Sequence, residues 1–182
     1  MTTRGRSHSE PLPRDAADRV VRACAVVEAS QAEAWLAWTT PEGVRSFFAP
    51  ECSIELCVGG RYEILFDPHA QPGERGAEGT RILALQPKEM LSFTWVAPPH
   101  LDTIREQRTH VVVRFFPESG GRTKVQLVHD GWGAGDQWDE AYEYFVHAWQ
   151  AVVFPRLKRR FLEGPINWES KDGPDATPST QQ

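Results

Sequence analysis

The chain has little of what would mark it as secreted, metal-bound, membrane-spanning or bound to nucleic acid. Of its 182 residues only three are cysteine. Cys24, Cys52 and Cys57 are odd in number and show neither a C-x-x-C pair nor a zinc-type spacing to histidine, so they read as reduced, half-buried thiols. No apolar run approaches the ~18 residues of a membrane span, and Arg4 and Arg6 are followed by no apolar stretch of the kind a signal peptide carries. Basic charge is in short supply too. Lys and Arg together number 20 against 25 Asp and Glu, a formal charge of -5, which gives no general footprint for a polyanion. The expectation is a cytoplasmic protein with no membrane span and no nucleic-acid partner.

What is present is ordinary globular composition, 40% hydrophobic, in a length that suits one domain with a substantial core. Residues 1–18 are polar and proline-bearing, and the stretch from 169 to 182 contains almost nothing to bury, so both read as disordered tails around one domain at 19–168. No internal repeat or low-complexity tract appears between them.

Within that domain the alternation of Val21, Ala23, Ala25 and Val27 with polar neighbours predicts a first strand. Ser30 and Glu33 form a capping-box pattern that opens a short helix through Trp38. Thr40 followed by Pro41 opens a second short helix, which must end before Pro50. Ile54, Leu56 and Val58, then Gly59-Gly60, then Tyr62, Ile64 and Phe66 predict a hairpin with a two-residue turn. A loop, D-P-H-A-Q-P-G-E-R-G, precedes four further alternating segments: G-T-R-I-L-A-L-Q-P, E-M-L-S-F-T-W-V, Q-R-T-H-V-V-V-R-F-F and R-T-K-V-Q-L-V-H-D. From about Gly135 to Phe161 the period becomes helical. Trp138, Tyr142, Phe145, Trp149 and Val152 or Val153 share one stripe, acidic residues lead and basic residues close, and Pro155 predicts a kink because it offers no N–H to Ala151. The fold class is therefore α+β: a curved antiparallel sheet of about seven strands, two short helices after the first strand, and a long C-terminal helix laid over the sheet.

This order resembles the helix-grip fold of the START-like, or SRPBCC, superfamily, the Bet v-type arrangement. Within it the segments T-T-P-E-G-V-R-S-F-F-A-P, V-G-G-R-Y, L-S-F-T-W and T-K-V-Q-L-V-H-D-G, with His147-Ala148-Trp149 in the last helix, are similar to the group of activator of heat-shock-protein-ninety ATPase homologues (AHSA-type), over roughly residues 18–163. One departure is Ala148, where bacterial members of the group commonly have glycine. The resemblance implies that the two short helices close one end of a cleft between sheet and long helix. Trp38, Phe47 and Phe48 would then either gate the mouth of a cavity or cap the core.

Tyr62, Phe66, Phe93, Trp95, Tyr142, Phe145 and Trp149 have strand and helix phases that let them face one interior. Such a set lines an apolar pocket or fills a core; the superfamily's usual cavity favours the pocket. His129, in phase with Val125 and Leu127, points inward, where it can orient a polar group of a ligand or bond to a neighbour. The candidate ligand-binding set is therefore Phe47, Phe48, Tyr62, Phe66, Phe93, Trp95, His129, Tyr142, Phe145 and Trp149. Glu143 and His147, four apart on the helix, are too few to assign a metal. His110, Asp130 and Tyr142 give no defensible Ser-His-Asp order, so no catalytic residue and no cofactor is assigned. Three functions stay open for a monomer or homodimer: a binder of an apolar, aromatic or lipid-like small molecule, a regulatory partner of a heat-shock chaperone ATPase acting in the stress response, and a cyclase- or hydrolase-like enzyme using the same cavity.

Overall fold

The computed structural model describes residues 19–169, and the tails expected on either side lie outside these, apart from Glu169. Strand β1 (Val21–Val27) buries alternate residues from Val21 to Val27 and exposes Arg22, Cys24 and Val26. Helix α1 (Gln31–Thr39) starts as the capping box requires. The Glu33 amide donates to Ser30 Oγ at 3.3 Å and the Glu33 carboxylate accepts from the Ser30 amide at 2.8 Å, satisfying two end donors. The Ser30 hydroxyl, 2.7 Å from the same carboxylate, and then the Ser30 amide hold the Glu33 carboxyl below its ordinary pKa. Helix α2 (Pro41–Arg45) follows after a corner at Thr40, whose hydroxyl accepts from the Gly43 amide at 3.0 Å. The corner is tight because residue 43 has no side chain: a Cβ there would strike the Leu36 carbonyl oxygen and stand 2.6 Å from Ala37 Cα.

Strands β2 (Glu51–Ile54) and β3 (Tyr62–Leu65) pair antiparallel with Ile54 opposite Tyr62, so the hairpin exists but its turn is longer than Gly59-Gly60. Leu56 and Val58 are exposed in the loop rather than paired. Competing hydrogen bonds explain the difference. The Gly59 amide donates to the Ile82 carbonyl at 2.8 Å and the Ile82 amide to the Gly60 carbonyl at 2.9 Å, which draws the loop onto the neighbouring strand. A short strand β4 (Gly76–Ala77), in the stretch read as loop, pairs with β3.

Strands β5 (Ile82–Gln86), β6 (Met90–Val96), β7 (Arg108–Pro117) and β8 (Thr123–Asp130) match the four alternating segments, and a single helical turn α3 (Asp102–Arg105) lies in the loop before β7. Five strands run in the order β1-β8-β7-β6-β5 and three in the order β2-β3-β4, with every pairing antiparallel. The Arg61–Arg81 bridge and the Tyr62 amide on the Thr80 carbonyl at 3.0 Å join the two ladders, so the described residues form eight strands in two joined ladders where about seven in one curved sheet were expected.

The long helix is one helical run whose middle changes gauge. Helix α4 (Asp136–His147) passes into a π-helical turn at Ala148–Val153 and resumes as α5 (Phe154–Glu163). Pro155 brings no N–H, and the backbone just ahead of it widens so that the Phe154 amide reaches the Trp149 carbonyl, five residues back. The kink expected at the proline is thus a π turn, with helical dihedrals maintained on both sides. Trp138, Phe145, Trp149, Val153 and Leu157 are buried beneath the helix. The thiols are a correction. Cys24 and Cys57 are exposed, Cys24 because it sits on the outer phase of β1 and Cys57 because it sits in the displaced loop. Only Cys52 is half-buried, and burial pushes its pKa up to about 11. Among the described residues no helix is long and apolar enough to cross a membrane.

Gly43→Ala should therefore destabilise the domain by about 1–3 kcal/mol, the usual cost of forcing atoms into a closely packed site. An unchanged urea midpoint would show that α1 and α2 separate without loss.

Candidate functional site

The cavity lies under the π turn. It holds about 290 Å³, with Phe48, Phe66 and Trp95 on one side and Phe145, Trp149 and Val153 of the long helix on the other. Tyr144, His147, Ala148, Val152 and Arg156 complete its lining. Phe48 arrives on the segment after α2, Phe66 directly follows β3, and Trp95 is an inward residue of β6. Their rings set the shape of the floor. Phe48 and Trp95 stack at 5.9 Å and 12°, Trp149 tilts against them at 5.7 and 5.5 Å, and Phe66 stands edge-on to Phe48 at 5.8 Å.

Of the ten sequence-predicted residues, Phe48, Phe66, Trp95, Phe145 and Trp149 line this cavity. The other five pack away from it. Phe47 is wholly buried, 5.6 Å from Phe48 and 5.3 Å from Trp38, and is not at an entrance. Tyr62 donates its hydroxyl to the Trp38 carbonyl at 2.7 Å, and Phe93 lies 4.4 Å from the Tyr62 ring. Tyr142 faces Trp132 at 5.4 Å and has the Arg19 guanidinium over its ring at 5.5 Å. At the rim the exposed aromatics are instead Phe66 and Tyr144, 45% and 49% accessible. Tyr144, His147, Ala148, Val152 and Arg156 lie outside the predicted set: Tyr144 and His147 stand beside the buried stripe of α4, and Ala148, Val152 and Arg156 are turned by the π turn at Ala148–Val153, which the Pro155 signal marks.

His129 is fully buried in a hydrogen-bonded knot. The Trp149 indole N–H donates to Nδ1 at 3.0 Å, and Nε2 lies 2.7 Å from Thr109 Oγ1. An indole can only donate, so Nδ1 is the acceptor and Nε2 carries the proton given to Thr109. Trp132 adds a third tie, its N–H donating to the His129 carbonyl at 3.1 Å while its ring lies 4.2 Å from the imidazole. Burial, and secondarily the nearby His110, hold the His129 pKa well below the ordinary value. The imidazole is neutral, with both nitrogens engaged by protein groups. Thr109 and Trp132 were not singled out from the sequence, although Thr109 shares the inward phase of Val111 and Val113.

The outer face of the sheet carries a second polar set. Ser92 Oγ is 2.8 Å from His110 Nε2, and His110 Nδ1 is 3.1 Å from Asp130 Oδ1, so a Ser-His-Asp order does occur across β6, β7 and β8. It lies opposite the cavity, since His110 and Asp130 alternate with the inward Val111 and His129. Acyl transfer also needs donors preorganised for an oxyanion. Strand β6 has a neighbour on each side, which commits its backbone N–H groups to the ladders. The set ties three strands together. Glu143 and His147 are both exposed, and among the described residues no group of three or more His, Cys, Asp or Glu is placed to hold a metal.

The model of the family described as "Activator of Hsp90 ATPase homolog 1-like protein" matches residues 28–161. Among solved structures, a Mesorhizobium loti protein is similar with a TM-score of 0.61 at 22% identity, over 78% of this chain and 95% of that one. The Aha1 dimer of Colwellia psychrerythraea is similar with a TM-score of 0.59 at 16% identity, over 80% and 98% of the two chains. DynU16, a protein in the dynemicin biosynthetic locus, gives a TM-score of 0.59 at 19% identity over 81% of this chain and 49% of that one, so this chain spans about half its length. At these identities the likeness establishes the fold. No curated protein matches the chain by sequence.

Because His129 is neutral when folded and ordinary when unfolded, the unfolded chain takes up its proton first as pH falls. Its contribution is thus fully present above about pH 6.5 and is lost as pH drops toward the depressed folded value, at up to ~1.4 kcal/mol per pH unit. His129→Gln, whose amide can both accept and donate, should be less stable at pH 8 yet lose less stability between pH 6.5 and 5. Urea titrations across that range giving the same slope for both proteins would show that the imidazole is not held neutral.

Proposed function

We propose that this chain, which belongs to the family of Activator of Hsp90 ATPase homolog 1-like proteins, binds an apolar or aromatic small molecule in the cavity beneath the π turn and performs no chemistry on it. The observation that carries this reading is unfilled volume at the centre of an aromatic set. Phe48, Trp95 and Trp149 converge from three elements, and about 290 Å³ between them and the helix stays open. Protein interiors otherwise pack to the density of organic crystals, and a space of this size beside half-exposed Phe66 and Tyr144 suits a guest that enters from the rim. The π turn supports the same reading, because such turns concentrate at functional sites and this one contributes Ala148, Trp149, Val152 and Val153 to the lining. The biosynthetic-locus setting of one structural neighbour is in keeping with a small-molecule ligand.

A chaperone-partner role is the second reading, favoured by the family's description and by the Aha1 neighbour. The two separate experimentally. Native mass spectrometry of the purified protein should retain a co-purified ligand at one per chain, and a hydrophobic dye should bind with that stoichiometry. Val152→Phe, which adds a ring at a partly buried wall position, should weaken dye binding at least about tenfold, equivalent to ~1.4 kcal/mol, while the protein stays folded. A folded protein that binds no dye and carries no ligand, yet stimulates a chaperone ATPase, would replace the binding reading with the partner reading.

A further inference from the structure

The chamber beneath the π turn has a second space beside it. Phe66, Trp95, Tyr144 and Phe145, four of the residues that line the chamber, also line a smaller recess of about 50 Å³, whose remaining wall is Gly76, Ala77, Val96, Ala97, Pro98 and Pro99 together with Arg105. The same four rings therefore border both spaces. Gly76 helps to keep the recess open: it stands at φ +148°, and a Cβ there would lie 2.3 Å from the Ile64 carbonyl oxygen and 3.0 Å from Phe66 Cδ2, so a side chain at 76 would displace the Phe66 ring. Arg105 fixes the far side. Its guanidinium donates to the Ala97 carbonyl and, at 2.7 Å each, to the Gly73 and Gly76 carbonyls, which ties the loop before β7 to the backbone around β4. With those donors on backbone acceptors, the rest of the wall is alanine, valine, proline and aromatic rings.

The boundary between the two spaces is made of unequal parts. Trp95 and Phe145 are buried, whereas Phe66 and Tyr144 are half-exposed and have solvent to turn into without displacing core atoms. A change of rotamer at either one joins the spaces. The rings do not form a flat slot, because Phe66 stands at 77° to Trp95 and Tyr144 at 89° to Phe145. A rigid fused-ring plate needs parallel walls along its length. A methylene chain is round in section and bends, so it passes between rings that meet at right angles.

Resting on the binding reading above, we propose that the natural guest is an elongated hydrocarbon chain with no charged end in the recess, lying with one end in the chamber beneath the π turn and the other past Phe66 and Tyr144 under Pro98 and Pro99. A guest confined to the chamber leaves the apolar recess facing water. A longer chain removes that surface as well, and each buried methylene strengthens binding by about fourfold. Length, and not aromatic character, is then what the site selects.

The test uses neutral n-alkanols from hexanol to dodecanol, and 2-hydroxyanthracene as a rigid comparison, each displacing the dye N-phenyl-1-naphthylamine from the natural protein. Affinity should rise by about fourfold per methylene without a plateau, and dodecanol should bind at least about tenfold tighter than 2-hydroxyanthracene. Two dodecanols carrying a photoreactive diazirine, one at the methyl end and one beside the hydroxyl, locate the chain by mass spectrometry of the cross-linked peptides. One label should mark residues 148–153 and the other residues 76–77 or 96–99. Both labels on the same set, a plateau before dodecanol, or 2-hydroxyanthracene binding as tightly as dodecanol would overturn the proposal and leave the apolar binding reading standing. Failure of the dye and of every probe to bind the folded protein would remove both.

Discussion

The hydrogen bond from the Trp149 indole to His129 Nδ1 is a fully buried polar contact that ties the long helix to the sheet. It joins the start of the π turn to the penultimate residue of β8, both buried, where an unpaired donor would cost about 1–3 kcal/mol. The bond fixes the histidine tautomer, the tautomer fixes Thr109 as the acceptor on β7, and Trp132 closes over the result. Three elements are thereby set in one register by polar groups, which are more directional than the aromatic packing around them.

The cavity follows from that constraint. Trp149 cannot swing down to fill the space beside Phe48 and Trp95 without giving up its bond to His129, and Pro155 prevents the helix from closing to a regular α spacing just beyond it. The open volume therefore persists beside a well-packed core in which Trp38, Phe47, Tyr62 and Phe93 leave no access. Hydrophobic packing and open space divide along the helix. The short helices and the inner strands supply the first, and the π turn supplies the second.

The polar set on the opposite face shows how little a triad order means without its setting. Ser92, His110 and Asp130 are spaced as a hydrolytic relay, but the middle of a paired strand has no spare N–H groups to stabilise a tetrahedral oxyanion. On the cavity side aromatic walls surround open volume, and His129 is consumed by the structure.

Local chemistry written in adjacent residues was legible before any coordinates. The capping box at Ser30 and Glu33, the threonine cap before Pro41, the strand alternations and the disturbance ahead of Pro155 each depend on neighbours within a few positions, so the α+β class and the order of elements follow from the sequence alone. The inward faces of Trp95, Phe145 and Trp149 were legible for the same reason, whereas Phe48 was placed only by the family resemblance. The division of that aromatic set into five residues that line a cavity and others packed behind it was not. It turns on a six-residue π turn, on a Gly59-Gly60 loop captured by Ile82, and on pairs such as Trp149 with His129 and Arg156 with Trp168. Periodicity tells a side chain which way to face. Whether the space it faces is filled depends on the positions of several elements at once, and those are settled only when distant hydrogen bonds and ring contacts compete in three dimensions.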